Sequence, residues 1–100
     1  MKVVWTVEAL ERLVDIEEFI ARDSPERAKK FIERLIKRGQ SVSRSPLRGR
    51  IVPELFDPEI REVFEKAYRI VYRVMGTRIE ILTVFEGHRL LRREEIYHGA

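Results

Sequence analysis

The stretch that decides the fold runs from Ile60 to Arg89 and reads IREVFEKAYRIVYRVMGTRIEILTVFEGHR. It divides into three strand-like runs, roughly 60–65, 68–75 and 78–86, which are separated by the two-residue links Lys66-Ala67 and Gly76-Thr77. Links of this length are typical of β-hairpins. The three runs therefore predict an antiparallel meander.

The middle run alternates apolar side chains with a mixed set: Ile70, Tyr72 and Val74 against Arg69, Val71 and Arg73. This alternation is typical of a sheet with one buried face and one partly wet face. Arginines recur through the whole stretch, at Arg61, Arg69, Arg73 and Arg89. Because burying an unpaired charge is costly, the pattern predicts that these guanidinium groups project together from a solvated face.

Upstream of the meander, the sequence predicts a strand and a first helix. Residues 2–5 are β-prone, and Thr6 is a suitable N-cap for a helix that runs to about Arg22. Apolar residues recur along this helix at spacings of three and four: Leu10, Leu13, Val14, Ile16, Phe19 and Ile20. This spacing predicts one buried helix face.

A second helix is predicted to begin at Ser24-Pro25, since serine is a good N-cap and proline suits the first turn. It is expected to fray between Gly39 and Arg44. The short connection predicts that the two helices pack as an antiparallel hairpin over one sheet face. Residues 45–58 are interpreted as a loop, and the fold class is α+β.

Composition limits the function classes. One hundred residues, 44% of them hydrophobic, suit one core, so residues 1–100 are predicted to form a single domain. The absence of cysteine excludes disulfides and thiolate chemistry, and two histidines, His88 and His98, are too few for most metal sites. We therefore predict no metal and no cofactor. No apolar run approaches the ~20 residues of a membrane span, so a cytoplasmic protein without membrane association is expected.

Charge is distributed unevenly along the chain. Residues 25–50 carry nine basic and two acidic side chains, a net charge of +7, whereas the whole chain carries +3. This excess indicates either a polyanionic or acidic partner, or a solvated helix face.

Five short motifs occur in a fixed order: AxDSPERAxxF at 21–31, SPLRGRxVPEL at 45–55, IRE at 60–62, YRIVYRV at 68–74 and GHR at 87–89. With these motifs the sequence resembles the RelE/ParE superfamily, the toxins of type II toxin–antitoxin systems. The resemblance implies the order β-α-α-β-β-β. It also implies a cognate antitoxin as partner, with which the chain would form a hetero-oligomer.

The superfamily has two principal activities. RelE-like members are ribosome-dependent endonucleases that cut mRNA, and ParE-like members bind and poison DNA gyrase without a reaction of their own. The SPLRGR and IRE segments are closer to the ParE branch. Val63 also stands where a RelE-like enzyme has a second basic residue. The resemblance therefore favours a gyrase-binding toxin, with an mRNA endonuclease and an inactive antitoxin-binding relative as the alternatives.

The two activities assign different roles to the basic residues. If the chain is RelE-like, the resemblance places catalysis on Arg61, Arg69, Arg89 and His88. If it is ParE-like, the residues expected to bind the target are Arg61, Arg69, Arg73, Arg89, Arg92 and Arg93. A structural interpretation stays open for both sets, since His88 could merely end a strand. The strand arginines could also pair across neighbouring strands with glutamates, namely Glu62, Glu65 or Glu80.

Overall fold

The computed structural model describes residues 1–97, so His98 lies outside the described part of the chain. The elements are β1 (Lys2–Trp5), α1 (Val7–Ala21), α2 (Pro25–Gln40), a 3₁₀ turn (Ser41–Ser43), β2 (Arg50–Ile51), β3 (Ile60–Glu65), β4 (Tyr68–Met75), β5 (Arg78–Glu86) and α3 (Arg93–Ile96). No helix within residues 1–97 has both the length and the apolar character that crossing a membrane requires.

One mixed sheet contains all five strands, in the order β1-β5-β4-β3-β2. The predicted meander of β3, β4 and β5 is confirmed, with its three strands bounded as the sequence indicated. β1 pairs with β5 in parallel, from Lys2 opposite Arg78 to Trp5 opposite Ile81. The interpretation of residues 45–58 as loop alone is wrong at β2, which pairs antiparallel with β3. Arg50 lies opposite Glu62 in this pairing, and its Nε donates to Glu62 Oε2 at 2.6 Å.

Both helices begin as predicted. The Thr6 hydroxyl accepts a hydrogen bond from the backbone N–H of Ala9 at 3.1 Å and donates one to the carbonyl of Leu82 at 3.0 Å. Leu82 is the extra residue of a bulge in β5, so the cap also holds α1 against the sheet. Ser24 caps α2 through the N–H of Arg27 at 3.2 Å, and proline occupies the first turn.

The helical hairpin covers one sheet face and forms the larger core with it. The buried residues of this core are Ala9, Leu13, Ile16, Leu35, Val42, Val63, Ile70, Tyr72, Ile79, Ile81 and Val84. The buried face of α1 is narrower than its apolar pattern indicated, since Leu10, Val14 and Phe19 are exposed. α1 rests on β5 and α2, and these contacts cover only part of the wide apolar stripe.

The opposite sheet face is also closed, which corrects the expectation of an open basic surface. A second apolar cluster lies there: Val52, Leu55, Ile60, Val71, Phe85, Leu91 and Ile96. Its outer layer comes from residues 52–55 and from the C-terminal segment, residues 89–97. The reason is that β3, β4 and β5 each place apolar side chains on this face as well as charged ones.

Candidate functional site

Arg69 lies at the centre of a buried ion-pair network. Its side chain is 3% exposed, and its Nε donates to Glu62 Oε1 at 2.6 Å while Nη1 and Nη2 donate to the two carboxylate oxygens of Glu54 at 2.7 and 2.9 Å. Paired, planar contacts of this kind suit a guanidinium group. The hydrogen bond from Arg69 lowers the pKa of Glu54 to about 2. Burial opposes the charge of Arg69, but the bonds to Glu54 and Glu62 outweigh it and raise its pKa.

The network also holds the C-terminal segment. Arg69 Nη1 donates to the carbonyl of Arg89 at 3.1 Å, and the N–H of Leu91 donates to Glu54 Oε2 at 2.9 Å. The Arg69 guanidinium carbon lies 4.9 Å from the centre of the Phe85 ring. One buried arginine therefore connects the sheet, the loop that carries Glu54 and the C-terminal segment.

A second buried polar contact fixes the loop before β2. The Tyr72 hydroxyl donates to the carbonyl of Pro46 at 2.7 Å and accepts from the N–H of Gly49 at 3.1 Å, and burial raises the pKa of this tyrosine. A Cβ atom at Gly49 would overlap the Tyr72 hydroxyl and lie 2.7 Å from the carbonyl oxygen of Glu62. Only glycine fits between these groups without displacing backbone.

The predicted site arginines do not share one solvated face, so that premise is wrong. Arg61 lies opposite Tyr72 on the helix-covered side, where its Nη1 donates to the carbonyl of Gly49 at 3.0 Å. Arg69 and Arg73 lie on the other side of the sheet. Arg73 is half-buried, with its guanidinium carbon 5.9 Å from the centre of the Tyr97 ring.

His88 and Arg89 lie just beyond β5, after Gly87. The His88 side chain is 79% exposed, and its Nε2 lies 3.1 Å from Glu86 Oε2. Arg89 is half-exposed, with Nη2 at 2.9 Å from Glu95 Oε2 and its guanidinium carbon 5.2 Å from the centre of the Phe85 ring. Neither Arg61 nor Arg69 turns its guanidinium group toward solvent beside His88.

Arg92 and Arg93 are exposed on the C-terminal segment. The segment is anchored by Ile96, which is buried, and by Tyr97, whose hydroxyl donates to Asp57 Oδ2 at 2.7 Å. This hydrogen bond lowers the pKa of Asp57. Arg92 lies 3.4 Å from Glu95, the same carboxylate that Arg89 contacts. We call these three arginines the C-terminal basic surface: Arg89, Arg92 and Arg93.

The family model described as "ParE toxin of type II toxin-antitoxin system, parDE" matches residues 3–91. This chain belongs to the ParE toxin family. The predicted superfamily and branch are thereby confirmed. A chain from the solved structure titled "Chromosomal ParDE TA system from P. aeruginosa" is similar to this ParE-family toxin with a TM-score of 0.73 and 24% identity, over 86% of this chain and 95% of that one. At that identity the likeness shows a shared fold. No curated protein matches the chain.

In this ParE-family toxin, sequence reasoning missed Glu54, whereas it offered Glu62 as one possible partner of the strand arginines, and Glu62 does bind Arg69. A signal for Glu62 was present, since the hairpin register places it opposite Val71, on the same face as Arg69. Glu54 comes from an irregular loop and gave no such signal. Within residues 1–97, no group of three or more potential ligands among His, Cys, Asp and Glu is arranged to hold a metal ion.

Proposed function

We propose that this ParE-family toxin poisons DNA gyrase by binding it through the C-terminal basic surface, without catalysing a reaction of its own. The observation that carries the proposal is the burial of Arg69, whose charge is neutralised by Glu54 and Glu62. Four of its five N–H groups already donate to Glu54, Glu62 and the carbonyl of Arg89, and its burial keeps it away from a phosphate. Its role in the proposal is to position Arg89 and the residues that follow.

The alternative, an mRNA endonuclease, needs a proton-transfer group and clustered cations at one place. The residues that the superfamily resemblance assigns to that role are dispersed: His88 pairs with Glu86 at the surface, and Arg61 donates to loop carbonyls on the opposite face. This arrangement supports binding over cleavage.

The C-terminal basic surface has the properties of a binding surface. Arginine presents several donors in a planar group, which favours it at interfaces with carboxylates. The surface is also pre-organised, because Leu91 and Ile96 are buried beneath it and Tyr97 is held by Asp57. Pre-organisation reduces the conformational entropy that is lost on binding.

Family membership also supports a cognate antitoxin as the partner that neutralises this chain in a hetero-oligomer. Action on gyrase would place the toxin in the cytoplasm, where bacterial DNA is supercoiled. The proposal therefore has two parts, a target and a neutralising partner, and the assay below addresses the target.

The test is a supercoiling assay with purified gyrase, relaxed plasmid and purified toxin. We expect the wild type to inhibit supercoiling. The double variant R92E/R93E should lose inhibition by about tenfold or more, since arginines at a binding hot spot contribute on the order of 1–2 kcal/mol or more. The matched control is R44E/R48E, which makes the same change of net charge at two other exposed positions and should inhibit like the wild type.

Trp5, the only tryptophan, reports on the fold of each variant through its fluorescence. Two outcomes contradict the proposal. One is unimpaired inhibition by R92E/R93E. The other is a wild type that leaves supercoiling intact, and cleavage of ribosome-bound message by the same preparation would then favour the endonuclease.

A further inference from the structure

Phe56 is a strained and exposed aromatic residue on the turn that follows β2. Its φ angle is 54°, in the left-handed region, and its side chain is 85% exposed. A bulky side chain disfavours this backbone conformation, which Gly and Asn adopt readily. Lys66 also has a positive φ, but it lies in a two-residue hairpin link, where such angles are the rule. No hairpin explains Phe56, and its ring gains nothing from burial in the free protein.

The neighbours of Phe56 impose this conformation. The carbonyl of Val52 accepts hydrogen bonds from the N–H groups of Leu55 at 3.1 Å and Phe56 at 3.3 Å. Val52 and Leu55 are both buried in the second apolar cluster. On the other side, the carboxylate of Asp57 accepts from the N–H of Glu59 at 3.0 Å. Backbone strain that the surroundings hold in place is concentrated at functional sites, so the exposed ring calls for a functional explanation.

Two hydrogen bonds place this turn beside the C-terminal basic surface. Glu54, two positions before Phe56, accepts from the N–H of Leu91 at 2.9 Å. Asp57, the next residue along the chain, accepts from the hydroxyl of Tyr97 at 2.7 Å. Two arginines of the C-terminal basic surface lie between these two contacts in the sequence. The exposed ring and the exposed guanidinium groups therefore belong to one continuous surface.

Leu90 adds a second apolar side chain to this surface. It is largely exposed, although the residues on both sides of it are held. The carbonyl of Arg89 accepts from Arg69 at 3.1 Å, and the N–H of Leu91 donates to Glu54. The surface thus presents apolar groups and cations on a backbone that is already fixed.

We infer that Phe56 is an aromatic anchor for the target, and that its ring enters an apolar recess on gyrase beside the carboxylates that pair with the C-terminal basic surface. The inference rests on the proposed function and adds to it a residue that determines specificity. Arginines alone attract many acidic surfaces, whereas a ring in a fixed position requires a matching recess. Aromatic residues and arginines are the side chains that most often dominate the binding energy of an interface.

The test compares Phe56→Asn with the wild type in the supercoiling assay and in binding to immobilised, purified gyrase. Asparagine suits a left-handed backbone and removes the ring. We expect inhibition and binding to weaken by about tenfold or more. The urea midpoint, followed by Trp5 fluorescence, should stay at or above the wild-type value, because the backbone strain is relieved. A loss of binding without a loss of stability distinguishes an anchor from a structural residue.

Two further variants serve as controls. Phe56→Tyr keeps an aromatic ring and should inhibit within about twofold of the wild type. Leu47→Asn makes the same kind of change at another largely exposed apolar residue, in the loop before β2, and should also inhibit within about twofold of the wild type. Unimpaired inhibition by Phe56→Asn, or an equal loss in Leu47→Asn, would overturn the inference. Self-association of the wild type that Phe56→Asn abolishes in sedimentation would also overturn it, since the ring would then contact a second copy of the chain.

The outcomes separate this inference from the proposed function. If R92E/R93E loses inhibition while Phe56→Asn retains it, the C-terminal basic surface binds gyrase and Phe56 is not an anchor. If the wild type leaves supercoiling intact, the proposed function and the anchor both fail.

Discussion

Arg69 is a buried, charged residue, and it is stabilised by the carboxylates of Glu54 and Glu62. A buried charge of this kind is tolerated only when partners with good geometry satisfy it. Glu62 is also buried, and it accepts hydrogen bonds from Arg69 and from Arg50 Nε, each at 2.6 Å. The residue that looks most like a functional arginine in the sequence thus has a structural role as well.

Replacing Arg69 with alanine should reduce the free energy of unfolding by about 3–5 kcal/mol, because the buried Glu62 would keep only the largely exposed Arg50 as its partner. The measurement is urea denaturation followed by Trp5 fluorescence. The matched control is Arg78→Ala, which breaks a largely exposed pair with Glu80 at 3.3 Å and should cost at most about 1 kcal/mol. Equal losses in the two variants would show that the Arg69 network contributes no more than a surface pair.

The motifs that carry the family resemblance meet one another in space. Tyr72 from YRIVYRV binds Pro46 and Gly49 of SPLRGR, while Glu62 of IRE binds Arg69. Their spacing in the sequence therefore reflects a shared polar network beneath the loop. From one sequence this network cannot be distinguished from a catalytic cluster, because both require charged residues at fixed places on adjacent strands.

At the scale of elements, the C-terminal segment is held to the sheet by a few hydrogen bonds and by the burial of Leu91 and Ile96. Glu54 accepts from Arg69 and from the N–H of Leu91, so its ionised form is the one that binds the segment. In the folded protein its pKa is about 2, whereas the ordinary value is 4.5. A carboxyl group with a lowered folded-state pKa stabilises the fold above its ordinary pKa, and this stabilisation is lost as the pH falls through the folded-state value.

We therefore expect the free energy of unfolding to decline between about pH 4.5 and pH 2, with a contribution from Glu54 on the order of 3 kcal/mol at most. Asp57, whose pKa is also lowered, contributes in the same direction. Glu54→Gln should lower stability at neutral pH and flatten the decline in acid. The exposed carboxylate variant Glu94→Gln should keep the wild-type profile. A Glu54→Gln profile parallel to the wild type would contradict this assignment.

The elements that the sequence predicted well are those set by local signals. Local residues set both helix caps, at Thr6 and Ser24, and both two-residue links of the meander. All four predictions are confirmed. The parallel pairing of β1 with β5 joins residues some 76 positions apart, from Lys2 to Arg78, and no local pattern encodes it. Closure of the second sheet face by the C-terminal segment is equally non-local.

The candidate site was predictable in part. The hairpin link Lys66-Ala67 sets a register that places Arg61 opposite Tyr72, on the other face from Arg69. The prediction of one shared face counted the arginines and did not use this register. The exposure of Arg92 and Arg93 could not be predicted in the same way, because it depends on how Leu91 and Ile96 pack. The roles of these arginines in target binding stay predictions.

At the scale of the whole molecule, two cationic surfaces lie on different sides of the sheet. The C-terminal basic surface lies over the face that carries Val71 and Phe85, whereas Lys30, Arg34 and Lys66 lie beside the helical hairpin. The proposed target binding is assigned to the first surface alone. Substitutions at the second surface should therefore leave target binding unchanged.

We expect the two surfaces to differ when K30E/R34E and R92E/R93E are compared in the supercoiling assay. K30E/R34E should inhibit gyrase within about twofold of the wild type, because neither residue lies on the C-terminal segment. R92E/R93E should fail to inhibit. Since both variants change the net charge by the same amount, a purely electrostatic effect of the whole molecule would weaken inhibition in both variants. That common loss would show that inhibition depends on the overall charge and not on the C-terminal basic surface.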